Sequence, residues 1–91
     1  MKSYDAAVVE MLRSDPKMPG KYLRAAFDEM GEEGGDTAFL MALRHVVQAQ
    51  GGMSEIAKKA NISRGSLYQA LSPEGNPTLR IITAVMKATG V

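Results

Sequence analysis

The chain has 91 residues, a formal net charge of +1, and 45% hydrophobic and 23% charged residues, the make-up of one small folded domain rather than a disordered segment. It has no Cys and a single His, His45, which excludes a disulfide scaffold, a thiolate metal site and a His-cluster metal site and argues against a Ser–His–Asp enzyme; neither catalysis nor a cofactor is expected. No run approaches the ~18 apolar residues that span a bilayer, and no apolar stretch follows Lys2, so the expected compartment is the cytoplasm, away from any membrane.

Apolar spacing is helical throughout. Tyr4, Ala7, Val8, Met11 and Leu12 form one stripe of a first helix, with Ser3 placed as its N-cap and Pro16 as its stop. Tyr22, Leu23, Ala26, Phe27 and Met30 form a second stripe, ended by the Gly-rich run 31–35. Asp36 is placed to cap a third helix with Phe39, Leu40, Leu43, Val46 and Val47 inward, closed by Gly51-Gly52. A short fourth helix starts at a cap on Ser54, and a fifth runs from Ser63 to near Ser72-Pro73. The sixth spans about Thr78 to Thr89, with Leu79, Ile82, Val85 and Met86 inward and Gly90 at its end. No stretch alternates with period 2 for long enough to make a strand. The predicted fold is all-α, a compact bundle of about six short helices forming a single domain over 1–91.

The stretch from Met53 to Ser72 carries the most information. Two short helices joined by a tight turn need a small residue where they cross, and Ala57 supplies it. They also need a turn residue that tolerates φ > 0, a conformation Gly and then Asn adopt most easily; Asn61 stands there. Ile56, Ala60, Ile62, Leu67 and Ala70 then fall inward, Ser63 is placed to cap the second helix, and Arg64, Gly65, Tyr68 and Gln69 face outward. The pattern points to a DNA-binding helix-turn-helix, with residues 36–91 as its core and residues 1–35 as an N-terminal helical extension.

In a major groove, Arg64 could pair bidentately with guanine and Gln69 with adenine. Gly65 would let the backbone approach the duplex, and Ser63 or Ser66 could hold a phosphate. Lys58 and Arg80 are candidate phosphate contacts. Charge distribution agrees: residues 1–35 carry five Lys/Arg against seven Asp/Glu, whereas residues 36–91 carry six against three. A plain helical hairpin, with Arg64 and Gln69 merely solvated and Tyr68 half-buried, is the alternative. His45 is expected to be an exposed or partly buried structural residue with no triad partner near it. The seven Met are expected to fill the core, with Met11, Met30 and Met41 suited to a pliant interface.

Tyr4-Asp5, the run Tyr22-Leu23-Arg24-Ala25-Ala26-Phe27, Ala42-Leu43, the run from Gly52 to Lys58 and above all the run from Ser63 to Thr78 give the chain a family likeness. It resembles the addiction-module antidote proteins, the HigA-like antitoxins with an Xre/Cro (phage-repressor) type of helix-turn-helix. The resemblance covers nearly the whole chain and is strongest from residue 52 onward. It implies an antitoxin that neutralises a RelE/HigB-like toxin, usually an mRNA-cleaving enzyme. It also implies a homodimer that represses its own operon by binding double-stranded DNA at an operator inverted repeat. By position, Ser63, Arg64, Ser66, Tyr68 and Gln69 would be the DNA-facing set. Asn61 departs from the usual turn Gly, Gly65 stands where a longer polar residue is more usual, and the run 31–35 is longer and Gly-richer than usual.

The acids of residues 1–35, among them Asp28, Glu29, Glu32 and Glu33, could attract a basic RNA-acting toxin; alternatively, the first two helices only enlarge a small core. Two further functions stay open on the sequence: a stand-alone prophage-type repressor without a toxin, and a protein-interaction module whose helix-turn-helix does not bind DNA. Near-zero net charge favours the last.

Overall fold

The computed structural model describes residues 3–91, and among them it contains six helices and no strand. The first, α1 (Tyr4–Ser14), starts as its sequence asks: the Ser3 side-chain oxygen accepts the Ala6 N–H at 3.1 Å. It ends at Asp15, whose extended backbone is the conformation that a following proline enforces. In α2 (Met18–Asp28), Pro19 occupies the first turn, where its missing N–H costs nothing. This helix closes at Glu29, so Met30 lies beyond it rather than on its stripe, half-buried against the core.

The start of α3 (Gly35–Ala49) differs from expectation. Gly34, in the left-handed region at φ +76°, holds the cap position instead of Asp36. A Cβ on Gly35 would stand 2.2 Å from the Glu29 carbonyl oxygen, so the chain can turn back here only with glycine. Asp36 sits instead in the first turn, where its carboxylate meets the positive end of the helix dipole. The start of α4 (Met53–Ala60) also differs: Gly52 holds the cap position and Ser54 is an exposed residue of the first turn. Two further helices follow, α5 (Arg64–Ala70) and α6 (Leu79–Thr89). The Thr78 side-chain oxygen caps α6 by accepting the Ile81 N–H, and Gly90 ends it in the left-handed conformation.

α1 and α2 pack on α3 and on each other, α5 and α6 pack on α4, and α3 meets α4. One continuous core runs through both groups, from Val8, Leu12 and Leu23 through Leu43, Val46 and Val47 to Ile56, Leu67, Leu71 and Val85. Residues 1–35 thus contribute core side chains to the same interior as the remainder. At the junction, the Arg13 guanidinium of α1 donates to the Gln48 and Ala49 carbonyls, both at 3.1 Å. These are carbonyls at the end of α3 that lack intrahelical partners.

Five expected inward positions are open: Ala7 and Met11 are exposed on α1, together with three larger side chains. Tyr4 is 74%, Phe27 59% and Leu79 79% exposed. Leu79 is the first residue of α6, where the chain arrives from the 74–78 loop and no helix covers it. His45 departs the other way: it is buried, and it has two polar partners, described below. None of the described helices is long and apolar enough to cross a membrane.

Candidate nucleic-acid interface

The turn between α4 and α5 is built by backbone bonds. Asn61 adopts φ 59° and ψ 44°, the one left-handed non-glycine among the described residues. The Ile62 N–H reaches the Ala57 carbonyl at 3.0 Å and the Asn61 N–H reaches the Lys58 carbonyl at 3.2 Å, the paired bonds of a Schellman end. Ser63 then caps α5: its Oγ accepts the Ser66 N–H at 3.0 Å and donates to Ser66 Oγ at 2.7 Å. Leu67 is buried in the core that holds Ile56 and Ala57, Ala70 is buried as well, and Ala60 and Ile62 are half-buried. With that face inward, Ser63, Arg64, Gly65, Ser66, Tyr68 and Gln69 are all exposed.

These side chains fall into two groups. Arg64 lies with its guanidinium carbon 5.9 Å from the Tyr68 ring centroid. Arg44, from α3, lies 5.2 Å from the same centroid, and its guanidinium also donates to Tyr68 Oη at 3.4 Å. Two cations thus share one aromatic ring. Ser66 and Gln69 line a different, more polar hollow beside α5, walled by Gly75, Asn76, Thr78 and Ile81. Arg80 is exposed in the first turn of α6 and borders the α4–α5 turn at Asn61 and Ile62. Lys58 is exposed on the last turn of α4 and makes none of these contacts. Among the described residues, Arg44, Lys58, Arg64 and Arg80 form no ion pair with a carboxylate.

Arg44 is the residue the sequence reading missed. Its only signal was its place outside the apolar positions of α3, since its ring partner lies 24 residues away. Gly65 needs no internal explanation: a Cβ there would meet nothing within 4 Å.

A second polar cluster lies in the other half. His45 is 2% exposed. Its Nε2 is 2.8 Å from an Asp5 carboxylate oxygen of α1, and its Nδ1 is 2.7 Å from Tyr22 Oη of α2. Burial raises the Tyr22 phenol above its usual range, and the electrostatic influence of neighbouring Tyr4 and Asp5 raises it further. This arrangement corrects the expectation of an isolated, at least partly exposed His45. It has the order of a triad, but the imidazole is sealed between helices and ties α1, α2 and α3 together. Among the described residues no group of His, Cys, Asp or Glu is placed to hold a metal ion.

Comparison with known proteins gives one family by name. A family profile described as "Probable addiction module antidote protein" matches residues 1–91. A relative from Haemophilus influenzae, named only as an uncharacterized protein, is 38% identical over 88 residues, covering 97% of this chain and 82% of its own length. No solved structure matches. A profile match over the full chain, with a relative this similar, assigns the protein: it belongs to the family of probable addiction module antidote proteins.

Proposed function

We propose that this protein is the antitoxin of a toxin–antitoxin module, and that α4 and α5 form a phage-repressor-type helix-turn-helix through which a homodimer binds an inverted repeat upstream of its own operon. The observation that carries the DNA reading is the pair of guanidiniums, Arg44 and Arg64, held on the Tyr68 ring with no carboxylate among the described residues to neutralise them. Unpaired cations on an aromatic platform beside an exposed helix suit a phosphate backbone and a guanine edge. In this reading α5 enters the major groove, Arg64 and Gln69 face base edges, and Gly65 lets the backbone come close. Ser63, Ser66, Lys58, Arg44 and Arg80 hold phosphates. The toxin partner is read from the family, and as an RNA-acting protein it is expected to be basic.

A gel shift with the DNA upstream of the protein's own gene tests the reading. Arg64→Ala is expected to weaken binding by ~1–3 kcal/mol and relax the choice at one base pair. Arg44→Ala should weaken specific and non-specific DNA alike and flatten the salt dependence. No shift by the unaltered protein, or full affinity in the Arg64 variant, would overturn it.

A further inference from the structure

An apolar groove of about 450 Å³ runs between α2 and α6, with Leu23, Phe27, Phe39, Leu79, Ile82 and Met86 in its lining. Phe27 packs edge-on against Phe39, with centroids 6.3 Å apart, yet keeps most of its surface in water, as does Leu79. Large apolar side chains grouped in this way mark an interaction surface.

Charge selects the occupant. The one charged side chain in the lining is Arg24, and it is already paired with Asp28 at 3.0 Å. The side chains of the groove therefore present no net charge to a strongly basic protein or to a phosphate backbone. The acids that would attract a basic partner, Glu29, Glu32 and Glu33, stand beyond the end of α2 and outside the lining. A neutral apolar wall is matched best by another such wall.

Shape narrows the choice further. The same patch holds a floor, the buried Leu23 and Phe39 with half-buried Ile82 and Met86, and two projecting side chains, Phe27 and Leu79. A two-fold interface needs one patch that both gives and receives. We infer that this groove is where two copies of the chain pair, Leu79 of each seated against the α2 wall of the other. The inference deepens the proposed DNA reading and rests on it for its purpose. α6 follows directly on the 74–78 loop that walls the hollow beside α5, so pairing through α6 would set the spacing of the two α5 helices.

Sedimentation equilibrium of the full chain without DNA tests this. The unaltered protein is expected to be a dimer. Leu79→Asp should raise the dimer dissociation constant at least tenfold with an unchanged helical spectrum, because Leu79 is largely solvated in the monomer. Thr83→Arg, one turn further along α6 in the same groove, should do the same. Met41→Asp, an exposed apolar position on α3, should leave the dimer intact. A monomeric unaltered protein, or undiminished dimers in both groove variants, would overturn the inference. So would a monomer whose Leu79→Asp variant loses only the toxin, since the groove would then belong to that partner. The gel shift separates the two readings. A dimer that ignores the upstream DNA leaves this interface standing and removes the DNA function, and a monomer that binds the DNA does the reverse.

Discussion

Asn61 shows what a single position can carry. Its φ of 59° puts Cβ close to the following carbonyl, a strain of ~1–2 kcal/mol for most residues that Gly escapes and Asn partly offsets with its short amide. Asn61→Gly is therefore expected to be neutral or slightly stabilising, and Asn61→Val destabilising by about that strain, because a β-branched side chain resists the conformation most. A thermal melt in which Val matches Gly would show that the turn does not need this residue. The position was legible because its demand is local: Ala57, Asn61 and Ser63 stand at spacings that a tight turn fixes. Asp36 was misread for the opposite reason. An acid before an apolar run has the look of a cap, but the true start of α3 is decided by the Glu29 carbonyl pressing on Gly35, a contact between segments that local propensity does not encode.

At the scale of elements, the number, order and kind of the helices follow from apolar spacing and from the cap and stop residues, and so does the outward face of α5. What spacing did not give is how the helices face one another. His45 looked like a lone polar residue because its partners Asp5 and Tyr22 lie 40 and 23 positions away and meet it only when α1, α2 and α3 pack. Arg44 reached Tyr68, and Leu79 escaped cover, for the same non-local reason. The tie at His45 has a measurable signature. With Nε2–H donated to the Asp5 carboxylate, Nδ1 accepts the Tyr22 O–H, a bond that needs the phenol protonated. The folded state holds the Tyr22 proton more tightly than the unfolded chain, where the phenol titrates near pH 10. Its contribution is thus complete below pH ~10 and is lost as pH rises through the higher folded value. Melts taken across that alkaline window should show stability falling with pH, and Tyr22→Phe should remove that part of the slope. The variant should also cost ~1–3 kcal/mol at neutral pH by leaving a buried imidazole nitrogen unpaired. An identical alkaline slope in Tyr22→Phe would assign it to other groups.

Over the whole molecule, three surfaces of different chemistry point away from one continuous core: cations around α5 that form no ion pair among the described residues, an apolar groove between α2 and α6, and the acids that follow α2. Under the proposed function the protein holds a basic RNA-acting partner as well as DNA, and charges of opposite sign on separate surfaces permit both. Glu29, Glu32 and Glu33 are exposed and form no ion pair among the described residues, so reversing each to Lys should change folding stability by no more than ~0.5 kcal/mol. The triple variant is expected to bind the toxin encoded beside it at least tenfold more weakly at low salt, mainly through slower association. The deficit should shrink as added salt shortens the ~10 Å screening length of 0.1 M solution. Affinity for the upstream DNA should hold or rise slightly, since the change removes negative charge and touches none of Arg44, Arg64, Tyr68 or Gln69. Paired titrations of the same preparation with toxin and with DNA separate the outcomes. Weakening of both would mean that the two surfaces are not independent, and undiminished toxin affinity would move the toxin contact off the acidic segment.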